Sequence, residues 1–324
     1  MTHTKYFHFL HARSGFGDRI VDLWAAKTVV SLLDPAAKLY ILWDNKGINF
    51  GYGNTRYKAS LFNIKGCSLA VKKKHKLHMP ASYEFDAHHK EAIGKVSLSS
   101  ARQQIILRDG QEWGNSYASR IHASLECYGC DNTLSLDQVI QCYQHVARST
   151  QCVWHMNIFI PLDIATRVGI HVRRGDKLVA VEKDYTMSSR TWDTIEKRAR
   201  QQIDLFIERK QPLFICSEDI RYRNQLVRDI RSRGGDVQVI DLPSRLSSVH
   251  GYAALCDFFA LTRCQRIVQM TKYSTFSIAA AIAGHKAILN FSPEGGISGN
   301  RLYRWQHMLA GLEFKSASEC RLDA

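Results

Sequence analysis

The chain has 324 residues, 45% hydrophobic and 23% charged, which is the balance of a packed globular protein and excludes a disordered one. Its 20 Gly and 6 Pro are too few for a fibrous or linker-rich chain, and its length predicts two domains. Lys and Arg number 44 against 30 Asp and Glu, and the net charge of +14 points to an anionic partner: nucleic acid, an acidic membrane surface or a phosphorylated small molecule.

No uncharged apolar run reaches the roughly 18 residues of a membrane span, so no integral membrane segment is expected. The nine Cys show no repeating spacing and read as reduced thiols packed as small hydrophobes, which predicts a cytoplasmic protein. Cys127-Tyr-Gly-Cys130 lacks a second ligand pair at zinc-like spacing, so no metal site is expected.

In chain order, Met1 to Leu10 alternates polar and apolar residues and reads as a strand over Tyr6–Leu10, not as a leader peptide. Ser14-Gly-Phe-Gly-Asp18 is a turn, with Asp18 placed to cap a helix from Arg19 to Leu33. A strand follows at Lys38–Trp43. From Asn45 to about Leu134 the pattern is poor, apart from a strand at Gln104–Leu107. The basic run Lys72–Lys76 in that stretch reads as a solvated loop. A helix over 135–149 closes the first half. The boundary falls between Ser149 and Thr166 and divides the chain into 1–155 and 156–324.

The second half alternates more clearly. Strands are predicted at Val168–Val172, Pro212–Cys216, Val237–Ile240, Arg266–Met270 and Lys286–Leu289. Helices are predicted at 188–210, from Ser217 to about Arg233 with Gly234-Gly235 as the stop, at Tyr252–Thr262, and at Ser274–Ala283 with Gly284 as the stop. This is the α/β signature of a doubly wound parallel sheet. Such sheets bind ligands at the carboxyl ends of their strands, so the turns after Val172, Cys216, Ile240 and Met270 should share one rim.

Four segments and one lone acid carry candidate chemistry. Gly15-Phe16-Gly17 joins a strand to a helix, where glycine lets backbone amides approach a ligand; Ile20 stands where a dinucleotide fingerprint needs its third glycine. His171-Val-Arg173-Arg174-Gly-Asp176-Lys177 puts two guanidinium groups and an ammonium at the end of a buried strand. Guanidinium forks match phosphate oxygens, and the competing reading is an ion-pair network with Asp176, Glu182 or Asp184. Strand alternation sends His171 and Arg173 to one face and Arg174 to the other. Ser217 and the hydroxyl-rich Thr271–Ser277 stretch stand where helices begin, either as N-caps or as phosphate ligands. Asp257 is a lone acid among apolar helix residues and needs a partner.

Taken together, Gly15-Phe-Gly-Asp18, His171-Val-Arg-Arg-Gly-Asp-Lys177, Phe214-Ile-Cys-Ser-Glu-Asp219 and Asp257 to Ser277 resemble the fucosyltransferase superfamily of α1,6-, α1,2- and protein O-fucosyltransferases. The resemblance implies two facing Rossmann-like domains of the GT-B glycosyltransferase type, an amino-terminal acceptor side and a carboxyl-terminal nucleotide-sugar side. It implies an inverting, metal-independent transfer of L-fucose from GDP-fucose to a glycan, glycolipid or protein hydroxyl, with no further cofactor. By position, Arg173 would bind the diphosphate and support its departure, His171 and Asp257 would line the guanosine, and Ser274, Thr275 and Phe276 would meet the pyrophosphate end. Arg174, Asp176, Lys177 and Ser217 would complete the donor site, with Gly15, Phe16 and Gly17 across the cleft. Glu182 would serve as general base, with Asp18 and Asp176 as rivals. Another nucleotide sugar, for example a UDP-linked one, suits the same scaffold, and a basic nucleic-acid-binding protein is the reading outside enzymes.

Overall fold

The computed structural model describes residues 6–11, 16–43, 62–69, 102–104, 118, 121–122, 124–125, 134–174, 187–247, 251–272, 274–291 and 314–316. The chain divides into two compact units, and of these residues those up to Gln151 fall in the first and those from Cys152 in the second.

In the first unit, β1 (Tyr6–His11) leads to α1 (Phe16–Leu33), followed by β2 (Lys38–Trp43), β3 (Phe62–Asn63), β4 (Cys67–Leu69), β5 (Arg102–Gln104), α2 (Leu136–Arg148) and β6 (Gln151–Cys152), which reaches the division. The sheet order is β4-β2-β1-β5, with every pairing parallel. An apolar stripe on α1 at Ile20, Leu23, Trp24 and Val29 is fully buried. Trp24 anchors α1 to α2: its ring meets Tyr143 edge-on at 6.0 Å, and its Nε1 donates to Thr150 Oγ1 at 2.8 Å. Ser135 caps α2 in a reciprocal arrangement with Gln138, a device that stabilises a helix by about 1 kcal/mol.

Helix α1 starts three residues before the sequence predicts, so Phe16, Gly17 and Asp18 form its first turn and Asp18 is not the cap. The reason is tertiary: Phe16 is buried and packs edge-on against Phe62 at 6.1 Å, which favours winding the helix back to include it.

The second unit contains β7 (Val168–Val172), α3 (Ser189–Glu208), β8 (Leu213–Ser217), α4 (Ile220–Ser232), β9 (Val237–Gln238), α5 (Ser244–Ser247), α6 (Tyr252–Arg263), β10 (Arg266–Met270), α7 (Thr275–Gly284), β11 (Ile288–Asn290) and β12 (Phe314–Ser316). Short 3-10 turns at Trp154–Phe159 and Ile164–Thr166 precede β7. All its sheet pairings are parallel, in the order β12-β11-β10-β7-β8-β9. The chain therefore starts at the central β7, winds out through β8 and β9, and returns to wind out the other way through β10. That reversal falls between β7 and β10, whose carboxyl ends are the ligand position of doubly wound sheets.

The ends of several elements differ from expectation. Asp219, not Ser217, caps α4: its Oδ1 accepts from Tyr222 N at 3.0 Å, while Ser217 Oγ accepts from Asp219 N. Strand β9 stops at Gln238, two residues short of Ile240. Helix α7 runs through Gly284, and it is His285 that turns left-handed, at φ 52°. Gly284 is needed for closeness: a Cβ there would lie 2.1 Å from the Thr262 carbonyl oxygen on α6. No helix among the described residues is long and apolar enough to cross a membrane.

Burial governs the thiols. It pushes Cys67, Cys256 and Cys264 up to about 12 and Cys216 well above its ordinary value, so these cysteines act as apolar fillers. Cys127 and Cys130 lie outside the described residues.

Candidate functional site

The carboxyl ends of β7 and β10 bring together Arg173, His171, Ser274 and Phe276 among the residues the sequence singled out after the middle of the chain. The Arg173 backbone N–H donates to Met270 O at 3.3 Å, extending the β7–β10 pairing one residue past the strand ends. Its guanidinium Nη1 donates to Ser274 Oγ at 3.4 Å. Ser274 occupies the N-cap position of α7 without making the side-chain cap bond expected of it. The first amides of a helix have no intrahelical acceptor, so this end of α7 keeps the partial positive charge and the donors that bind anions. Thr275 and Phe276 form the first turn, and Thr271, fully buried just beyond β10, has a hydroxyl without a hydrogen-bond partner among the described residues.

His171 lies beneath that turn. Its ring is nearly buried, sits 5.1 Å from the Phe276 ring, and has Nδ1 3.1 Å from Ser277 Oγ. His171 and Arg173 thus share the α7 face of the sheet, as strand alternation predicts.

Arg174 takes the other face. Its guanidinium carbon lies 5.6 Å from the Trp192 ring centre and 5.1 Å from that of Tyr222, and Nη1 reaches Asp219 Oδ2 at 3.3 Å. Its backbone N–H donates to Glu218 Oε1 at 2.8 Å. Glu196 ties the cage together, accepting from Trp192 Nε1 and Tyr222 Oη, each at 2.8 Å, and from Arg200. Burial and the Glu196 bond push the Tyr222 hydroxyl above its ordinary range. The family resemblance counted Arg174 in the donor site with Arg173, whereas strand alternation sent it to the opposite face, and there the structure holds it in an aromatic cage. A lysine ammonium cannot lie over both rings and reach Asp219 as the broad guanidinium does, so Arg174→Lys should lower stability by about 1–2 kcal/mol, read as a lower melting temperature by calorimetry.

Asp257 on α6 is half-buried, and no hydrogen bond or ion pair reaches its carboxyl among the described residues. Burial pushes it up to about 8; the Arg223 charge pulls it down and Asp241 raises it. At neutral pH this group is mostly protonated, ready to ionise against a ligand that offers donors.

In the first unit, Phe16 and Gly17 are buried in the first turn of α1 and Asp18 there is half-buried. Gly15, Asp176, Lys177 and Glu182 lie outside the described residues. Among the described residues no cluster of three or more His, Cys, Asp and Glu stands ready to hold a metal. Sequence reading passed over Gln269, Asn290, Trp192, Tyr222 and Glu196. The available signal was a lone amide in each of two apolar strands, Arg266-Ile-Val-Gln-Met270 and Ile288-Leu-Asn290.

No protein-family model matches the chain, and no curated protein sequence matches it. Its likenesses are among solved structures. A structure of the NodZ α-1,6-fucosyltransferase soaked with GDP-fucose is 14% identical, with 87% of this chain and 93% of that chain covered and a TM-score of 0.48. POFUT1 in complex with GDP-fucose is 10% identical over 89% of this chain and 98% of that chain, with a TM-score of 0.48. The E. coli heptosyltransferase WaaC with an ADP-heptose analogue is 10% identical over 97% and 95%, with a TM-score of 0.43. The chain is similar to glycosyltransferase structures.

Proposed function

We propose that the chain is an inverting glycosyltransferase whose donor is a nucleoside diphosphate sugar, GDP-fucose foremost, and whose acceptor is a hydroxyl of a glycan, glycolipid or protein. The observation that carries this reading is the meeting of Arg173 with Ser274 at the amino end of α7, at the point where the sheet reverses its winding. Breaking a sugar–phosphate bond develops negative charge on the departing diphosphate. A guanidinium and helix-start amides, fixed beforehand, stabilise that charge without having to reorganise. The Thr271 and Ser274 hydroxyls stand at the same rim. Asp257 fits the base: an ionised carboxyl accepts from both donors on the guanine edge, N1–H and the 2-amino group, a pair that uracil and adenine do not present.

On this reading the second unit binds the donor and the first serves the acceptor. Glu182, Asp176 and Asp18 are the carboxyls proposed for deprotonating the acceptor hydroxyl, Glu182 first. Glu182→Gln should lower turnover while leaving donor affinity unchanged. The same reaction with a UDP-linked donor is the second reading.

A thermal-shift comparison of GDP, UDP, CDP and ADP, each with and without EDTA, tests the proposal. A ligand at about 100 times its dissociation constant adds about 2.7 kcal/mol, a visible shift. The expected result is a GDP-selective shift that survives EDTA and disappears in Arg173→Ala. A UDP-selective shift would replace the donor, and no shift with any nucleotide would overturn the transferase reading.

A further inference from the structure

One rung of the second unit's sheet holds an unusual set of side chains. Parallel register aligns Cys216, His171, Gln269 and Asn290 across β8, β7, β10 and β11. Gln269 and Asn290 are 1% and 0% exposed, and burying two amides in the middle of an otherwise apolar sheet is unfavourable unless every polar atom is satisfied.

Here the bonds run in one direction. Ser274 O can only accept, which fixes the Gln269 atom facing it at 2.9 Å as the Nε2 donor; Nε2 also gives to Ser277 Oγ at 2.7 Å. Gln269 Oε1 is then the acceptor that faces Asn290, and Asn290 Nδ2 donates to it. Ser274 O also takes the α7 backbone bond from Ile278 N at 3.3 Å and a long bond from Ser277 Oγ at 3.4 Å, so it is already crowded with donors. The nearer acceptor for the Ser277 proton is His171 Nδ1, at 3.1 Å.

We infer that Gln269 and Asn290 are positioning residues: their amide relay holds the start of α7 against β10 and, through Ser277, keeps the His171 ring proton on Nε2. The ring then offers an N–H donor through Nε2, and Nδ1 is consumed as an acceptor. The relay also fixes the Ser274 carbonyl, and with it the hydroxyl that Arg173 touches. This deepens the proposed donor site and rests on that reading only for its ligand arm.

The test uses the full chain with selectively 15N-labelled histidine, His171 being assigned by the resonance lost in His171→Gln. The wild-type spectrum at pH 7.5 should show His171 as the neutral Nε2–H tautomer. Gln269→Met should move it to a mixture or to the Nδ1–H form. Because Gln269→Met strands the Asn290 amide, Gln269→Met/Asn290→Leu is the companion: replacing both partners by apolar groups restores satisfaction and stability. In that double variant the tautomer should stay changed although the melting temperature recovers, and GDP affinity should fall roughly ten-fold, the equivalent of about 1.4 kcal/mol. A wild-type His171 in the Nδ1–H form, or an unchanged tautomer in the double variant, overturns the inference. A wild type that binds no GDP yet shows the expected tautomer change overturns the donor reading and leaves the relay standing.

Discussion

A Gly284→Ala chain is expected to lose about 3 kcal/mol of stability or more, at the upper end of what overpacking does. The new Cβ would lie 2.1 Å from the Thr262 oxygen and 2.8 Å from the Thr262 carbonyl carbon and Cα, all backbone atoms of α6. A flexible side chain would swing aside; a helix backbone must be pushed bodily. Helices α6 and α7 pack directly on one another, and α7 carries Ser274 and Thr275 at its other end, so the displacement should reach the carboxyl ends of β7 and β10 as well. Gly234→Ala is the contrast. That residue has φ +81° with nothing within 4 Å of the added Cβ, so only left-handed strain applies, about 1–2 kcal/mol. Urea unfolding of the two variants compares crowding with conformational strain. Equal losses would show that α6 and α7 sit further apart than these distances require.

Asp257→Asn is expected to flatten the pH dependence of stability and to make the protein more stable than wild type at alkaline pH. The carboxyl sits at about 8 in the folded chain against 3.8 when unperturbed, because burial disfavours its charged form. Between those values the native state holds a proton that the unfolded chain has released. Wild-type stability from this group is therefore fully present below about pH 4 and is lost as pH rises through 8. The loss has an upper limit of about 1.4 kcal/mol per pH unit, and an asparagine side chain, which never ionises, escapes it. The charges around Asp257 are Arg223, which opposes the shift, and Asp241, which adds to it. Denaturant unfolding at pH 5, 6.5 and 8 should show the variant pulling further ahead of wild type at each step, and parallel curves would place an ionised Asp257 in the native state. On the proposed donor reading, GDP binding captures the ionised form, so wild-type affinity should rise towards pH 8. Asp257→Asn should remove that rise along with the preference for guanine.

Much of the second unit was legible because its signals are local. A fully buried strand such as Val168–Val172 reads as a short β-branched run, and Ser188, Gly234 and Gly235 mark helix ends by their own chemistry. The alternation of strands and helices implied parallel pairing before any pairing was seen. Side-chain alternation along β7 also foretold that Arg173 and Arg174 part company, since the period of two is a property of the backbone alone.

Helix ends were misread where a distant partner decided them. Phe16 is drawn into α1 by Phe62, and Gly284 is set by the backbone of Thr262, contacts between residues with no local signature. Ser217 and Asp219 are both good caps by type, but Ser217 is still the last residue of β8, so the cap falls to Asp219. The site divides the same way. Sequence by itself determined which chemical groups the chain has to offer at the strand ends: guanidinium, imidazole, hydroxyl and a lone carboxyl. Tertiary structure alone decided that Arg173 meets Ser274 across 101 residues, that Arg174 is spent on an aromatic cage, and that Gln269 and Asn290 stand on one rung with His171. The physical reason is that strand order and register, not spacing along the chain, determine which side chains become neighbours in a parallel sheet.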